Sequence, residues 1–468
     1  MNIWKLKTDY PMHASKPLKI AVVGSGIAGL SAAWHLSQQT NVEITVFEKN
    51  DRLGGHSNTV DVKTNEGNII PVDTGFIVFN PPNYPNLVSL FKHLDVPVSP
   101  TDMSFSVSMD KGRLEYSGSG LNGLFAQRSN LLRPSFIKMV SDILKFYKES
   151  SDPNFVKDDH MTLRELLKDK GYSDSFRDDH LLPMGAAIWS TPMEKMLDYP
   201  AKPFLRFCEN HGLLQVKDRP QWHTVNNGSR EYVTRLCAEI RGDILTHRSI
   251  RGVRRFGGKA LITDWQGDQW QFDHVIFACH ADQALRLLAD PRQDEIDVLS
   301  HFRFERNKAV LHSDTKLMPR RKHAWSSGNY LGDNAHSGGA LCVSYWMNKL
   351  QHLKTEQPMI LTLNPFEEPA KGSVHASFLY DHPIFNKDTD KAQIDLWDIQ
   401  GNHNTWFCGA WCGFGFHEDG IQAGLLVAEK ISGVRRPWDV HGMYDRIPAP
   451  SDFLEQTVTD SLIEEATA

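Results

Sequence analysis

Two short apolar runs near the start of the chain enclose a stretch rich in alanine. The first run covers residues 19–23 and the second covers residues 44–47, and each has the length of a buried strand. The stretch between them, with alanines at 32 and 33, favours a helix. Further along, a hydrophobic run at 273–279 predicts another buried strand, and residues 407–424 predict a strand, a glycine-rich loop and a helix. The pattern therefore predicts an α/β fold.

Three glycines, Gly24, Gly26 and Gly29, stand between the first strand and the helix in the order G-x-G-x-x-G. At such a junction the first glycine permits a tight turn, the second lets the backbone approach a pyrophosphate, and the third lets helix and strand pack closely. Glu48 ends the second strand about 20 residues on, where a carboxylate can accept a hydrogen bond from a ribose hydroxyl. This layout predicts a dinucleotide-binding unit that holds an ADP-containing cofactor.

The sequence after Glu48 chooses among the cofactors. Residues 48–57, EKNDRLGGHS, resemble the E-x(3)-R-x-G-G-R/H-x-x-T signature of the FAD flavoprotein superfamily that includes monoamine oxidase, polyamine oxidase and phytoene desaturase. Residues 273–279 resemble the strand that ends beside the dinucleotide in that superfamily, and residues 407–424 resemble its C-terminal flavin motif. The resemblance implies non-covalent FAD and a Rossmann-like FAD-binding domain of the glutathione-reductase type, interleaved with an α+β substrate domain of the amine oxidase type.

The residues predicted to bind the cofactor come from these motifs and from the segments that follow them in the superfamily. They are Gly24, Ser25, Gly26, Ile27, Ala28, Gly29, Glu48, Lys49, Arg52, Gly54, Gly55, His56, Ser57, Ile250, Ala278, Gly409, Ala410, Gly420 and Ile421. The sequence contains no HExxH and no paired CxxC, so we expect no metal.

The motifs are far apart in sequence, so the FAD-binding domain is expected to be assembled from separate segments. Following the interleaving that the resemblance implies, we predict an FAD-binding domain from residues 17–75, 221–290 and 402–434. Residues 76–220 and 291–401 are then the substrate domain. The end of the chain, 437–468, is predicted to be a solvated tail or a short docking segment.

Residues 131–147 show the apolar spacing of an amphipathic helix, with lysines on its other face. Such a helix either covers the core or rests on a lipid surface. The apolar set is Phe136, Ile137, Val140, Ile143, Leu144 and Tyr147.

The C-terminal motif departs from the amine oxidase pattern in two places. In many amine oxidases the substrate amine lies between two aromatic rings, one of them a tyrosine from this motif. Phe416 occupies the matching position, and Ala410 and Trp411 stand where the superfamily often has an acidic residue. Other aromatic residues in the predicted substrate domain indicate a large apolar cavity. The predicted substrate pocket consists of Trp189, Trp411, Phe414 and Phe416.

Several stretches carry a closer resemblance, among them GGHSNTV, VDTGFIVFN, LPMGAAIWSTP and GAWCGFGFHEDG. They resemble a bacterial and plant group of FAD-binding, amine-oxidoreductase-like proteins, whose members tend to accompany methyltransferases that build cyclopropane or methyl-branched fatty acids. This implies an FAD-dependent oxidoreductase that removes hydride from an unsaturated, cyclopropane or methyl-branched acyl chain, with an acyl-chain methyltransferase as a partner. The alternatives are an oxidase of a hydrophobic amine and a non-catalytic flavoprotein that binds lipid or a partner enzyme.

Three side chains are candidates for catalysis. Lys308 lies in RNKAVLH, a segment similar to a strand of polyamine oxidases and related demethylases whose lysine holds a water against flavin N5. On a strand, Lys308 and His312 share a face, so His312 is the second candidate if that face meets the flavin; a solvated strand face is the alternative. His56 follows the glycine pair that leads to the flavin, and is either an acid or base or a packing residue.

Charge and hydropathy limit the partners. The 468 residues carry a formal net charge of −6, which gives no general attraction for nucleic acid, so we expect no nucleic-acid partner. No run of about 18 apolar residues and no secretory signal is present, so a cytoplasmic protein is expected. Basic residues at 251, 254 and 255 and the segment PRRK at 319–322 indicate peripheral contact with the inner membrane face, or ordinary surface charge.

Overall fold

The structure is a computed structural model that describes residues 16–158, 160–215, 219–332 and 342–454. In chain order the strands are β1 (Leu18–Val23), β2 (Val42–Phe47), β3 (Thr59–Lys63), β4 (Ile69–Asp73), β5 (Val78–Phe79), β6 (Val98–Thr101), β7 (Phe105–Met109), β8 (Leu114–Ser117), β9 (Trp222–Val225), β10 (Gly242–Leu245), β11 (Ile250–Phe256), β12 (Lys259–Asp264), β13 (Gln269–Phe272), β14 (His274–Phe277), β15 (Arg303–His312), β16 (Gly328–Gly332), β17 (Val343–Trp346), β18 (Ile360–Leu363), β19 (Val374–Ile384) and β20 (Thr405–Phe407).

The α-helices are α1 (Ile27–Ser37), α2 (Pro85–His93), α3 (Gly120–Leu124), α4 (Pro134–Glu149), α5 (Leu163–Lys170), α6 (Asp174–Phe176), α7 (Leu182–Trp189), α8 (Met193–Met196), α9 (Ala201–Asn210), α10 (Arg230–Glu239), α11 (Ala281–Leu287), α12 (Gln293–Leu299), α13 (Met347–Leu350), α14 (Lys387–Ile399) and α15 (His417–Ser432). A π-helical turn, Arg177–Leu181, joins α6 to α7. Short 3₁₀ helices cover Pro81–Asn83, Asp110–Gly112, Arg128–Leu132, Thr315–Leu317, Lys322–Ala324, Asn402–Asn404 and Ala410–Cys412.

A five-stranded parallel sheet lies at the centre of the FAD-binding domain, in the order β10-β2-β1-β14-β20. Its apolar side chains share one buried core with α1 and α15 and with the antiparallel sheet β11-β12-β13, which explains why Ile20, Ala21 and Val22 have no exposed surface. All five strands come from the three segments predicted for this domain. The predicted α/β class with a Rossmann-like parallel sheet is confirmed.

A seven-stranded sheet forms the second layer, in the order β19-β15-β18-β17-β16-β7-β8. Its neighbours are antiparallel except for the pair β16–β7. Helices α4 to α9 contribute to a second core with β7, β8, β16 and β17. The hairpin β3–β4 packs against β15 and β18 in a third core.

The domain limits differ from the expectation at three places. Helices α2 and α14 belong to the segments predicted for the substrate domain, but Leu90 and Leu396 are fully buried in the core of the FAD-binding domain. The hairpin β3–β4 belongs to a segment predicted for the FAD-binding domain, but Val62 and Val72 pack on the substrate sheet. An apolar helix face reveals that a helix is covered, while the identity of the covering surface depends on long-range packing.

Residues 437–454, for which a solvated tail and a short docking segment were the alternatives, pack on the rest of the chain as a docking segment. Trp438 stacks on Trp34 with ring centroids 5.7 Å apart, and Phe453 meets Trp397 at 5.1 Å. These aromatic side chains attach the segment to the FAD-binding domain. The remainder of the predicted tail, 455–468, lies outside the described residues.

The buried face of helix α4 differs from the predicted amphipathic face. Phe136, Met139 and Phe146 are buried, whereas Ile137 and Leu144 are 47% and 55% exposed. The apolar surface of this helix therefore wraps past the core and reaches solvent. Within the described part of the chain, no helix has the length and hydropathy of a membrane-spanning segment.

Candidate cofactor and active site

The glycine-rich turn between β1 and α1 is held tightly by its neighbours. Gly24 has φ +113°, and a Cβ placed there would lie 2.6 Å from the carbonyl oxygen of Ala278; a Cβ on Gly29 would lie 2.1 Å from that of Gly24. Gly26 differs, because it has an ordinary φ of −70° and a Cβ on it would meet no described atom within 4 Å. Gly26 therefore keeps space open in front of the N-terminus of α1, where the backbone N–H groups of a helix attract a phosphate.

Glu48 lies at the edge of this turn. It is buried, and its carboxylate accepts hydrogen bonds from Ser25 Oγ at 2.6 Å and from the backbone N–H of Asn50 at 2.9 Å. The carboxylate is thus fixed beside the glycine turn, at the end of β2, where an adenosine ribose would lie in a dinucleotide-binding unit.

The second glycine pair runs directly over the first turn. The backbone N–H of Gly54 donates to Ser25 O at 2.9 Å, and a Cβ on Gly55 would lie 3.0 Å from Gly26 Cα. Arg52 donates from Nη1 to Gly55 O at 2.8 Å and holds this loop, while Lys49 is exposed beside it. Gly55 has φ +59°, so this close approach and the loop conformation both require glycine.

The C-terminal motif meets the same place. A Cβ on Gly420 would lie 2.9 Å from Ile27 Cγ2 and 3.6 Å from Ala410 N, and one on Gly424 would lie 2.2 Å from Ala28 O. Helices α1 and α15 are therefore in close contact, and Gly409 and Ile421 lie on the α15 side of that contact. Ile250 is buried in the same core, at the start of β11. Two residues before it, the backbone N–H of Arg248 donates to Glu48 O. Three motifs separated by hundreds of residues form one site.

A hydrogen-bonded group connects these segments. Ser57 Oγ lies 2.5 Å from Tyr232 OH and 2.9 Å from His417 Nε2, and the His417 ring stacks on Phe76 with centroids 3.8 Å apart. Burial lowers the pKa of His417 to about 3, so its ring is neutral at pH 7. His417 is therefore a hydrogen-bonding group at the N-terminus of α15 rather than a charge.

Three histidines from distant segments, His56, His280 and His382, lie near one another. The ring centroid of His56 lies 5.4 Å from that of His382. His280 is close enough to both rings to lower the pKa of each. Burial lowers the pKa of His56 well below 6.5, and the neighbouring histidines lower it further. The Nε2 atom of His56 is buried and has no hydrogen-bond partner among the described residues. His56 is thus a neutral base with an available nitrogen.

Amide side chains orient His382. Asn364 Nδ2 donates to Asn307 Oδ1 at 2.6 Å, and Asn307 Nδ2 donates to His382 Nδ1 at 2.9 Å. Because Nδ1 accepts, the proton of neutral His382 is on Nε2. Burial lowers the pKa of His382 to about 4, so this tautomer is the form present at neutral pH.

An aromatic wall surrounds Phe416, the last residue before α15. Its ring stacks on Phe207 with centroids 4.8 Å apart and meets Trp189 at 6.3 Å and His211 at 6.2 Å. Burial lowers the pKa of His211 to about 3, so the wall carries no charge at pH 7. The structure thus brings Trp189 and Phe416 together, as predicted for the substrate pocket.

The other two residues predicted for that pocket lie elsewhere. Trp411 packs on Phe302 in the core of the FAD-binding domain, with ring centroids 4.5 Å apart, and donates from Nε1 to Cys279 O at 3.0 Å. Phe414 lies under the guanidinium of Arg446. Trp411 is the middle residue of the 3₁₀ turn Ala410–Cys412, and its side chain is buried.

Known proteins share these features. A family model described as flavin-containing amine oxidoreductase matches residues 27–351, more than half of the chain. The chain belongs to the flavin-containing amine oxidoreductase family. The predicted superfamily is therefore confirmed, and the cofactor is FAD.

Relatives within the family differ in the substrates that their names record. The flavin-containing monoamine oxidase AofH of Mycobacterium tuberculosis is 26% identical over 280 residues, which is 58% of this chain and 59% of AofH. The 4,4'-diapophytoene desaturase of Staphylococcus aureus is 49% identical over 41 residues, 9% of this chain and 8% of the desaturase. The chain spans a little under two thirds of the length of AofH.

A solved structure supports the fold over nearly the whole chain. The fatty acid isomerase from P. acnes that produces CLA aligns with a TM-score of 0.62 and 15% identity, covering 89% of this chain and 99% of the isomerase. This likeness shows a shared fold over 89% of the chain.

The family's FAD fits this site on structural grounds. The open space in front of Gly26 accommodates a pyrophosphate at the N-terminus of α1, and Glu48 is placed to accept from a ribose.

The structure does not support the prediction that Lys308 and His312 face the flavin. Lys308 pairs across the sheet with Leu379, which is 64% exposed, and its amine forms an ion pair with Glu368 at 2.6 Å. Its neighbour Asn307 has the opposite orientation and meets His382. The face of β15 that carries Lys308 and His312 therefore points away from His56, contrary to the expectation. His312 is buried on that face and bonds Thr362 Oγ1 at 2.8 Å.

Several site residues were not predicted from sequence. They are His280, His382, Asn307, Tyr232 and Phe76; Asn307 and Phe76 lie in the quoted stretches RNKAVLH and VDTGFIVFN but were not singled out as site residues. His280 directly follows the recognised run 273–279, so the approach of that strand to the dinucleotide was a usable signal. The others lie in segments that only the tertiary fold brings to the glycine loops.

Proposed function

We propose that this protein is an FAD-dependent oxidoreductase that removes hydride from an unsaturated, cyclopropane or methyl-branched acyl chain. The observation that carries the proposal is the uncharged aromatic wall at Phe416, with Trp189, Phe207 and His211 in ring contact with it. An apolar chain gains free energy from contact with such a surface at about 25 cal/mol per Å² of apolar area removed from water. A phenyl ring at position 416 favours hydrocarbon, since it offers no hydroxyl to a polar substrate.

Desaturation of an acyl chain also needs a base. Two hydrogens leave adjacent carbons, one as hydride and one as a proton, and the new double bond takes the electron pair left by the proton. FAD, when bound, accepts the hydride. His56 is the group placed to take the proton on Nε2, because that atom is buried, neutral and without a described partner.

His382 supports this role of His56. Asn307 fixes the tautomer of His382 with the proton on Nε2, and the two rings are adjacent. A fixed imidazole beside His56 stabilises one orientation of the His56 ring. Oxidation of a deprotonated amine needs only hydride removal from the carbon, so a base in this position favours the desaturation.

The chemistry can be tested by mixing purified oxidised protein anaerobically with acyl lipids or with hydrophobic amines and following flavin absorbance. We expect bleaching by unsaturated or branched acyl lipids in detergent and much slower bleaching by amines. Rapid bleaching by amines and none by lipids would replace the proposal with the amine oxidase, to which the identity with AofH points. A lack of bleaching by either class would favour a non-catalytic flavoprotein.

An acyl-chain methyltransferase is the partner that we propose for this activity. A methyltransferase that adds a one-carbon unit to an unsaturated acyl chain would yield the branched or cyclopropane chain that this enzyme oxidises. Co-purification of the two enzymes, and faster bleaching by methyltransferase product than by its substrate, would support this order of reactions. Faster bleaching by the unmodified chain would reverse it.

A further inference from the structure

Exposed leucine and isoleucine side chains are concentrated in one short part of the surface. Residues 120–148 form α3, the 3₁₀ helix Arg128–Leu132 and α4, and α4 contacts that 3₁₀ helix. Pro134 and Ile137 line a shallow groove with the two leucines that precede them. The exposed apolar side chains, here named the leucine surface, are Leu121, Leu131, Leu132, Ile137 and Leu144.

The side chains of this leucine surface are largely exposed. Leu132 is 87% exposed and Leu121 is 75% exposed. A contiguous apolar patch on a protein surface marks a site of interaction with another protein, a ligand or a membrane.

Basic side chains surround the leucine surface. Arg128, Lys138, Lys145 and Lys148 are exposed on the same segment. Helix α3 also contacts the 3₁₀ helix Lys322–Ala324, which places the end of the basic segment 319–322 beside it. The two sequence segments considered separately for lipid contact, 131–147 and 319–322, are thus brought to one surface by the fold.

Acidic groups near this surface are neutralised within the protein. Helix α4 carries two acidic residues: the buried carboxylate of Asp142 accepts from Lys138 at 2.6 Å, and Glu149 lies 3.8 Å from Lys145. Glu115 is buried and pairs with Arg321 at 2.8 Å. The exposed charge is therefore positive, which opposes the stacking of this face on a second copy of itself and favours anionic headgroups.

We propose that the leucine surface and its basic border rest on the surface of a lipid bilayer that contains anionic phospholipid. The leucine side chains enter the boundary between headgroups and acyl chains, and the basic side chains lie at the phosphate level, as in interfacial amphipathic helices. Arg255, which was also considered for this role, is buried in an ion pair with Glu295.

The inner side of the same segment explains the arrangement. Phe136 and Met139 of α4 belong to the core that contains Trp189 and Phe207, against which Phe416 packs. The bilayer would therefore lie behind the aromatic wall of the substrate domain. Binding to a bilayer is independent of turnover, so this inference does not depend on the proposed reaction.

Vesicle sedimentation of the FAD-loaded full chain tests the proposal. We expect co-sedimentation with phosphatidylcholine vesicles that contain phosphatidylglycerol, weaker binding at high salt, and little binding to pure phosphatidylcholine. The double variant Leu132→Asp/Ile137→Asp should lose at least about tenfold in affinity, because burial of one leucine contributes roughly 1.5–3 kcal/mol. Arg128→Gln/Lys322→Gln should lose roughly fivefold for each residue.

Matched variants control for exposure and charge. Ile394→Asp removes an isoleucine from α14 that is 55% exposed, the same fraction as Leu144, and should leave vesicle binding unchanged. Lys63→Gln removes an exposed lysine from β3 and is the control for loss of one positive charge. The proposal fails if the wild type binds neither vesicle, or if Ile394→Asp loses as much binding as the double variant. It also fails if the double variant instead converts a dimer to a monomer in solution, since a second copy would then cover this surface.

Flavin bleaching by detergent-dispersed lipid separates the two proposals. If lipid bleaches the flavin but the protein does not bind vesicles, the proposed reaction is supported and the proposed bilayer contact is wrong. If the protein binds vesicles but lipid never bleaches the flavin, the bilayer contact is supported and the proposed reaction is wrong.

Discussion

Single residues at the glycine loops have separable roles. Gly24 and Gly29 are required by the protein itself, since a side chain on either would meet backbone atoms. A side chain on Gly26 would meet no described protein atom, so the predicted pyrophosphate site is what would require glycine at this position. Glu48 and His56 are polar residues beside these loops: Glu48 accepts from Ser25, and Nε2 of His56 has no described partner.

Gly26→Ala should reduce FAD content sharply while leaving the folded protein intact, and Gly26→Val should lose FAD completely. The added carbon occupies the space in which the backbone approaches the pyrophosphate. The ratio of absorbance at 450 nm and 280 nm gives FAD content, and circular dichroism gives the fold. Gly118→Ala is the control, because a Cβ there meets only Phe105 O at 3.8 Å. Full FAD content in Gly26→Val would place the cofactor elsewhere.

Glu48→Gln should weaken FAD binding by about 10- to 100-fold, because a hydrogen bond to a charged group contributes about 1.5–3 kcal/mol. Titration of the apoprotein with FAD, followed by flavin fluorescence, measures the dissociation constant. Glu43→Gln changes an exposed carboxylate on the same strand and should leave it unchanged. Equal affinities in the two variants would remove Glu48 from the site.

His56→Gln should keep FAD and slow flavin reduction by about 10²-fold or more, the usual contribution of a general base. The neutral ring is the accepting form, and its pKa is lowered, so the wild-type rate should be constant near pH 7 and fall only at pH below the lowered pKa. His280, His382, His417 and Arg52 act on this pKa, and each lowers it.

Stopped-flow absorbance across pH gives this profile for wild type and His56→Gln. The fall at low pH should be absent in the variant. His441→Gln, which changes an exposed histidine, is the control and should retain the profile. An unchanged profile in His56→Gln would assign the proton to another group.

At the scale of elements, the alternation of strand β15 separates two functions. Asn307 faces the histidines and Lys308 faces solvent, although the two are adjacent in sequence. The motif similarity around Lys308 identified the correct strand, and the alternation along this strand directs its side chain outward.

Lys308→Met should leave the rate of flavin reduction nearly unchanged and alter stability by less than about 1 kcal/mol, as expected for an exposed ion pair. Asn307→Ala should destabilise by about 1–3 kcal/mol, because it leaves His382 Nδ1 without its donor. Urea denaturation and stopped-flow reduction measure both variants. Slow flavin reduction in Lys308→Met, together with normal reduction and stability in Asn307→Ala, would indicate that Lys308 faces the flavin after all.

For the whole molecule, the C-terminal segment closes the FAD-binding domain. Arg436 and Glu429 form an ion pair with both side chains fully buried, and Tyr444 donates to the same carboxylate at 2.8 Å. Arg436 holds the pKa of Glu429 below its ordinary value against the effect of burial. The pair attaches the end of α15, and thereby the helix at the flavin, to α2 through Asn86.

Arg436→Gln should destabilise the protein by about 3–5 kcal/mol, because it leaves a buried carboxylate without its cation. Urea denaturation followed by tryptophan fluorescence measures the change. Arg435→Gln alters the exposed neighbour and should have little effect. Equal stability of the two variants would show that the closure is held by the aromatic contacts of Trp438 and Phe453 instead.

The sequence by itself determined the features that short-range geometry requires. The turn at Gly24, the strand before it and the acid at Glu48 are local, so their pattern predicted the cofactor site and the fold class. The tertiary structure decided the features that depend on distant packing: the meeting of His56, His280 and His382, the outward direction of Lys308, the inward turn of Trp411, the packing of 437–454, and the exposure of Ile137. Each depends on which surface covers an apolar or polar face, and that is set by contacts between residues far apart in the chain.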